Sequence, residues 1–355
     1  MRPIRVAVVG AGPAGIYAAD ILTKEYDAAE VDVLDRLPAP YGLVRYGVAP
    51  DHPRIKEIIK ALGRVLANPR IRFLGNVEFG TDLKLTDLQH HYDAVIVATG
   101  AATDRPLDIP GIDLPGSHGA ADFVSWYAGH PDVPRDWTLD AESVAVIGAG
   151  NVGLDVARML AKPADEQLTT EIADNVHRGL AANRAKDVHV FARRGPAQVK
   201  FSPMELRELS HSPSVDVLVE EDGFQIDEAS QSVISSNKGV RLVVDTLLKY
   251  LEATPTGAAH RIHLHLCHAP VALLGEGRVE AIRTERTQLD GTGNAVGTGS
   301  TSRPRSKPST GRWATSRRTC PTCPSTTPQV WSRTMPAGCS TSTGWRSPAC
   351  MPPDG

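Results

Sequence analysis

Val6-Ala7-Val8-Val9, followed by Gly10-Ala11-Gly12-Pro13-Ala14-Gly15, is the stretch that decides how this chain folds. An apolar run that short, ending in G-x-G-x-x-G and leading into the helical pattern Ile16 to Leu22, predicts a strand, a tight turn and a helix. In such a turn the first glycine permits the bend. The second lets the backbone approach a pyrophosphate, and the third lets the helix pack on the strand. The diphosphate then meets free N–H groups at the positive end of the helix. Gly10, Gly12, Ala14 and Gly15 are therefore candidate cofactor-binding residues. A second apolar segment, Val31-Asp32-Val33-Leu34, ends at Asp35, twenty residues after Gly15. A carboxylate at that place accepts hydrogen bonds from ribose hydroxyls and repels a 2′-phosphate, so this half reads as a site for FAD or NAD.

The pattern then repeats. Val144-Ala145-Val146-Ile147 runs into Gly148-Ala149-Gly150-Asn151-Val152-Gly153. After an insert from Lys162 to Lys186 comes Val188-His189-Val190-Phe191-Ala192, ending in Arg193-Arg194-Gly195. Two guanidiniums suit a 2′-phosphate by charge and fork geometry, so this half reads NADP. Two such turns in one chain point to one dinucleotide placed against another.

Composition narrows the class. The 355 residues have room for two domains. No apolar stretch is long enough to span a bilayer, and Met1-Arg2 leads straight into the first strand. No signal peptide, no membrane insertion, no nucleic-acid partner and a cytoplasmic location are expected. His263, His265 and His268 surround Cys267 and have the look of metal ligands. His263 and His265, however, alternate with Ile262, Leu264 and Leu266, which is strand periodicity, and no second ligand pair stands at zinc spacing. A half-buried strand is expected and no metal.

A third segment is more specific than either turn: Pro40-Tyr41-Gly42-Leu43-Val44-Arg45-Tyr46-Gly47-Val48-Ala49-Pro50-Asp51-His52-Pro53. Other pieces follow in order: Gly75-Asn76-Val77, Ala98-Thr99-Gly100, Asp108-Ile109-Pro110-Gly111, Leu154-Asp155-Val156-Ala157-Arg158 and Glu205-Leu206-Arg207-Glu208-Leu209. Together with the two turns, residues 2–298 resemble the adrenodoxin-reductase-type ferredoxin–NADP⁺ reductases, especially their bacterial branch. The resemblance implies an α/β fold with two Rossmann-like dinucleotide-binding domains. It also implies FAD and NADP(H) as cofactors, a ferredoxin-type iron–sulfur protein as partner, and a flavoprotein oxidoreductase passing electrons between NADPH and that partner.

Residue by residue, the resemblance implies that Asp35 holds the FAD ribose and that Leu43 contacts the flavin, with backbone near Val77 and Phe79 at the adenine end. Asn151, Val152, Gly153 and Leu154 would hold the NADP pyrophosphate, and Arg193 with Arg194 the 2′-phosphate. Arg105 and Glu205 would contact the NADP moiety. His52 and Glu208 match polar residues near the nicotinamide and flavin and are the candidate catalytic pair. For His52 a structural role between prolines stands beside a proton-path role, and Glu208 also fits a solvated helix face. Asp35 replaces the glutamate common in relatives, and Gly153 an alanine. Two other readings stay open: another two-dinucleotide flavoprotein, such as the electron-input subunit of an amidotransferase-type synthase, and a non-catalytic NADP-binding module.

The chain changes character near residue 299. The net charge is −3, yet residues 301–355 carry +7 and the remainder −10. That tail lacks Ile, Leu, Phe and Tyr but is rich in Ser, Thr and Pro, so it cannot bury enough apolar surface to offset its ordering entropy. Yet it holds Trp313, Trp331 and Trp345, which ordinary disordered segments seldom carry. A slipped reading frame in a GC-rich gene accounts for both. Synonymous codons for the tail, read from their third base, can yield strand-like pieces ending in the Ala-Thr-Gly-Trp that opens the family's last FAD motif. The expected organisation is therefore an N-terminal part of an FAD domain (1–105), an NADP domain (106–298) and a disordered out-of-frame tail (299–355), with the C-terminal part of the FAD domain missing. On this reading Cys320 and Cys323 are an artefact of the shift, and FAD binding by the chain as written is weak.

Overall fold

Short apolar runs ending in glycine build both nucleotide-binding sheets. The computed structural model describes residues 2–101, 104 and 106–302. Arg105 and the tail from residue 303, with Cys320 and Cys323, lie outside the described residues.

β1 (Ile4–Val9) runs through the first glycine turn into α1 (Pro13–Glu25), whose proline stands in the first helical turn, where a missing N–H costs nothing. Then come β2 (Ala29–Leu34), the short α2 (Leu43–Tyr46) and α3 (Pro53–Lys56), α4 (Ile58–Leu66), β3 (Ile71–Leu74), α5 (Leu85–His91) and β4 (Ala94–Val97). The four strands form a parallel sheet in the order β3-β2-β1-β4. The chain reverses its direction of sheet growth beside β1. That places the glycine turn at the crevice where open α/β sheets take their ligands. Val6, Val8, Val31 and Val33 pack with Ala19 and Ile71, while Ala7, Val9 and Leu34 pack with Leu88. Burial on both faces is why β1 reads as a continuous apolar run rather than an alternating one.

The second half begins with α6 (Ala120–Tyr127) and β5 (Ser143–Ile147), which enters the second glycine turn and α7 (Asn151–Ala161). The insert contributes α8 (Asp174–Ala181) before β6 (Asp187–Ala192). α9 (Pro203–Glu208), β7 (Val215–Val219), α10 (Glu228–Ser236), α11 (Lys238–Glu252) and β8 (His260–Leu266) complete a parallel sheet in the order β5-β6-β8-β7. Its core is the largest among the described residues, with Leu154, Met159, Leu160, Val188, Leu247 and Ile262 essentially sealed from solvent. β9 (His268–Leu274), β10 (Ala281–Leu289) and β11 (Ala295–Ser302) form a separate antiparallel sheet. β11 pairs with β10 as far as Ser302, so regular structure runs past the boundary expected at residue 299.

Candidate functional site

The two glycine turns share one division of labour. Gly10 has φ +110°, and a Cβ there would sit 2.4 Å from the Ala98 carbonyl oxygen. A Cβ on Gly15 would lie 1.9 Å from the Gly10 oxygen, so the helix can approach the strand only if that position is bare. Gly12 differs: nothing lies within 4 Å of where its Cβ would be. In the second turn Gly148 has φ +139°, a Cβ on Gly153 would come within 2.5 Å of the Gly148 oxygen, and the space over Gly150 is again open. The middle glycine of each turn thus leaves its Cβ side sterically open, as close approach of a pyrophosphate requires.

Asp35 stands beside the first cradle. Its Oδ2 accepts the Ala11 N–H at 2.8 Å and its Oδ1 the Leu37 N–H at 2.9 Å, while the Val77 N–H bonds the Asp35 carbonyl at 2.9 Å. The carboxylate is therefore fixed by backbone, with lone pairs remaining on both oxygens. The Pro40–Gly47 segment folds over the same turn: the Tyr41 N–H donates to the Ala11 carbonyl at 2.7 Å, and a Cβ on Gly42 would lie 3.0 Å from the Gly12 Cα. Tyr41 pays for this approach with φ 91°, a conformation that side-chain-bearing residues avoid. Leu43 begins α2 there and is 61% exposed, and Phe79 is also exposed. Ala14 lies in the first turn of α1 and is exposed.

At the second cradle Asn151 and Val152 are exposed on the first turn of α7, and Gly153 follows them. Leu154 is fully buried, so only its backbone faces the turn. Arg193 is exposed and Arg194 half-buried at the end of β6. Their carbonyls are tethered, Arg193 by the Thr287 hydroxyl at 2.7 Å and Arg194 by the Cys267 N–H at 3.2 Å, which fixes where the two guanidiniums start.

Between the halves lies a buried ion cluster. His52, 5% exposed, places Nε2 3.0 Å from Asp155 Oδ1 and 3.0 Å from Glu205 Oε2, and Nδ1 3.3 Å from Glu208 Oε2. Arg158, 4% exposed, donates from Nε and Nη2 to the two Asp51 oxygens at 2.9 Å each, and from Nη2 to Asp155 at 2.9 Å. Lys162 lies 3.5 Å from Asp51. Burial by itself would lower the His52 pKa, but the Asp155 and Glu205 carboxylates outweigh it and raise it to about 10. The Arg158 guanidinium opposes this only in part, being neutralised by Asp51 and Asp155. Against a burial effect that would raise Asp51, the bidentate Arg158 contact lowers it to about 2. Glu208 keeps contact with solvent and opens on a cavity of about 60 Å³ that Arg158, Lys162, Glu166 and His211 also line.

The expected catalytic pair, His52 and Glu208, is thus brought into contact from opposite halves of the chain. Glu205, expected against NADP, turns into the same cluster and is buried. The sequence alone gives no role to Arg158, Asp51 or Asp155, which lie within Leu154–Arg158 and Pro40–Pro53. The available signal was an arginine at i+3 from an aspartate on one helix face, with Asp51 and His52 adjacent elsewhere.

His263 and His265 lie on β8 and His268 opens β9, and His265 and His268 are more deeply buried than a half-buried strand implies. His263, His189 and His265 stack, His189 Nδ1 lies 2.9 Å from His265 Nε2, and Asp187 and Glu220 hold His263 and His265. Rings stacked face to face do not converge on one ion. Among the described residues the group with ligand-like spacing is His52, Glu205 and Glu208, and the Arg158 guanidinium already supplies the positive charge there.

No helix among the described residues is long and apolar enough to cross a membrane. Comparison with known proteins follows the same lines. Residues 4–194 match the family model for pyridine nucleotide-disulphide oxidoreductases. The chain is 42% identical over 299 residues to the NADPH-ferredoxin reductase FprA of Mycobacterium leprae, covering 81% of this chain and 65% of that protein. It is 37% identical over 312 residues to the mitochondrial NADPH:adrenodoxin oxidoreductase of Arabidopsis thaliana, covering 84% and 65%. The structure of Mycobacterium tuberculosis FprA in complex with NADPH superposes with a TM-score of 0.82 at 38% identity, over 90% of this chain and 72% of that one. The chain therefore spans about 65% of the length of the curated relatives it matches. With two glycine cradles of matching geometry and a family model spanning both, the chain belongs to the pyridine nucleotide-disulphide oxidoreductase family.

Proposed function

We propose that this chain is the nucleotide-binding part of a cytoplasmic flavoprotein that moves electrons between NADPH and a ferredoxin-type iron–sulfur protein. The observation that carries the reading is the pair of open cradles, over Gly12 and Gly150, with an acid fixed beside one and two arginines after the other. Gly10, Gly12, Ala14, Gly15 and Asp35 would hold the FAD pyrophosphate and ribose, with Leu43, Val77 and Phe79 along the rest of the cofactor. Asn151 to Leu154 would hold the NADP pyrophosphate through backbone N–H groups, and Arg193 and Arg194 its 2′-phosphate.

The chemistry a bound FAD would supply is hydride acceptance and one-electron release. The chain supplies position and protons. The Asp155 and Glu205 carboxylates raise the His52 pKa to about 10 although Arg158 Nη2 stands 2.6 Å from Nε2, and Glu208, 3.3 Å from His52 Nδ1 and partly exposed, would connect the imidazole to solvent.

Titration of the protein plus added FAD with NADPH, followed by flavin absorbance, tests the reading. Bleaching supports the reductase. NADPH binding without bleaching leaves a nucleotide-binding module, which the sealed core of the second half also accommodates. No binding of either nucleotide overturns the proposal.

A further inference from the structure

We propose that Lys200 is a pyrophosphate-binding side chain of the second cradle. The inference rests on the NADP reading above and adds a residue to it. The loop from Gly195 to Ser202 is pinned onto the glycine turn at two points. The Lys200 N–H donates to the Ala149 carbonyl at 2.7 Å, and the Ser202 N–H donates to Asn151 Oδ1 at 2.7 Å. The first contact makes Lys200 and Gly150 partners in an isolated parallel bridge.

Partners in a bridge carry their Cβ atoms on the same side. Gly150 has none, and nothing lies within 4 Å of where it would be. The Lys200 side chain is thus launched on the same side as the empty space over Gly150. Lys200 is exposed, and among the described residues its ammonium makes no ion pair or hydrogen bond. Two residues earlier in the same loop, Gln198 Nε2 donates to the Ser230 hydroxyl at 2.7 Å. An exposed lysine on a tethered loop, beside a cradle that otherwise offers only N–H dipoles, supplies the full positive charge that a diphosphate attracts. Arg193 and Arg194 then serve the 2′-phosphate, and Lys200 the diphosphate.

Equilibrium titration of the full chain tests this with three ligands: NADP⁺, 2′-phospho-ADP-ribose and 2′-AMP, the last lacking the diphosphate. Lys200→Ala is expected to weaken the first two roughly three- to tenfold, the range for one charged contact from an exposed side chain. It should leave 2′-AMP unchanged, and Lys200→Arg should restore the loss. Circular dichroism and the thermal midpoint should match the parent, since the loop's contacts at this residue are through backbone. Unchanged NADP⁺ affinity in Lys200→Ala, or an equal loss for 2′-AMP, overturns the assignment. A parent chain that binds none of the three overturns the NADP reading itself, and the two failures are distinct.

Discussion

Arg158 on α7 grips Asp51, just ahead of α3, with two parallel hydrogen bonds of 2.9 Å, and both side chains are nearly sealed from solvent. The pair joins the half that carries the first glycine turn to the half that carries the second. A buried bidentate pair is costly to break on one side, because the remaining charge has no partner. Arg158→Leu is expected to destabilise the chain by about 3–5 kcal/mol, and Arg158→Lys by less, since the charge survives while the fork is lost. Urea unfolding of both variants checks the order. Equal loss for the two would count against the fork.

The same cluster sets a pH window. Because His52 is raised from 6.5 to about 10, its contribution is complete below pH 6.5 and is lost as pH rises through 10. Because Asp51 is lowered from 3.8 to about 2, its contribution is present above pH 3.8 and fades as pH falls toward 2. For these two groups stability is greatest between pH 3.8 and 6.5. His52→Gln should flatten the alkaline limb and leave the Asp51 contribution to the acid limb in place. Thermal midpoints across pH, for parent and variant, read this directly.

His189 acts in the opposite sense. Burial, then the neighbouring His263 and His265, lowers it to about 3, so the fold holds it neutral. Its contribution is present above pH 6.5 and is lost as pH falls toward 3. His189→Phe, which keeps a ring in the stack with His263 and His265, should reduce acid sensitivity below pH 6.5. An unchanged acid profile would show that the stack does not govern it.

The glycines separate binding from folding. Gly12 and Gly150 have φ −75° and −124°, which any residue adopts, and both face open space. Gly150→Val should keep the parent's thermal midpoint within a few degrees yet weaken NADP⁺ binding by roughly tenfold or more, by filling the cradle. Gly15→Ala, with its Cβ 1.9 Å from the Gly10 oxygen, should instead lower the midpoint itself. A Gly150→Val variant that binds NADP⁺ normally would place the nucleotide elsewhere.

Flavin retention is expected to be poor. Among the described residues β4 ends the first sheet, and Val97 on it is 58% exposed, as are Leu43 and Ile21 to similar degrees. A cofactor beside the first glycine turn would meet an exposed apolar side chain at Val97, the β4 residue paired with Val9. The purified chain should carry far less than one flavin per chain by absorbance. A stoichiometric yellow preparation would contradict this.

What the sequence determined by itself was local and repetitive. Each apolar run plus G-x-G-x-x-G fixed a strand, a turn and a helix, because only glycine fits φ +110° at Gly10 and the close approach at Gly15. Asp35, set by chain length alone at the end of β2, arrived beside the turn as expected. The tertiary structure decided everything that depends on residues far apart in the chain. Arg158 reads as one more charge on an amphipathic helix until Asp51, 107 positions away, is folded against it. His52 lies between prolines and shows nothing of its raised pKa until Asp155, Glu205 and Glu208 close around it from α7 and α9. Lys200 looks like a loop lysine until its backbone is laid beside Gly150. The physical reason is the range of the forces involved. Backbone sterics act within a few residues and are written in order along the chain, whereas buried charges are set by whatever carboxylates and guanidiniums the packed halves bring within about 3–4 Å.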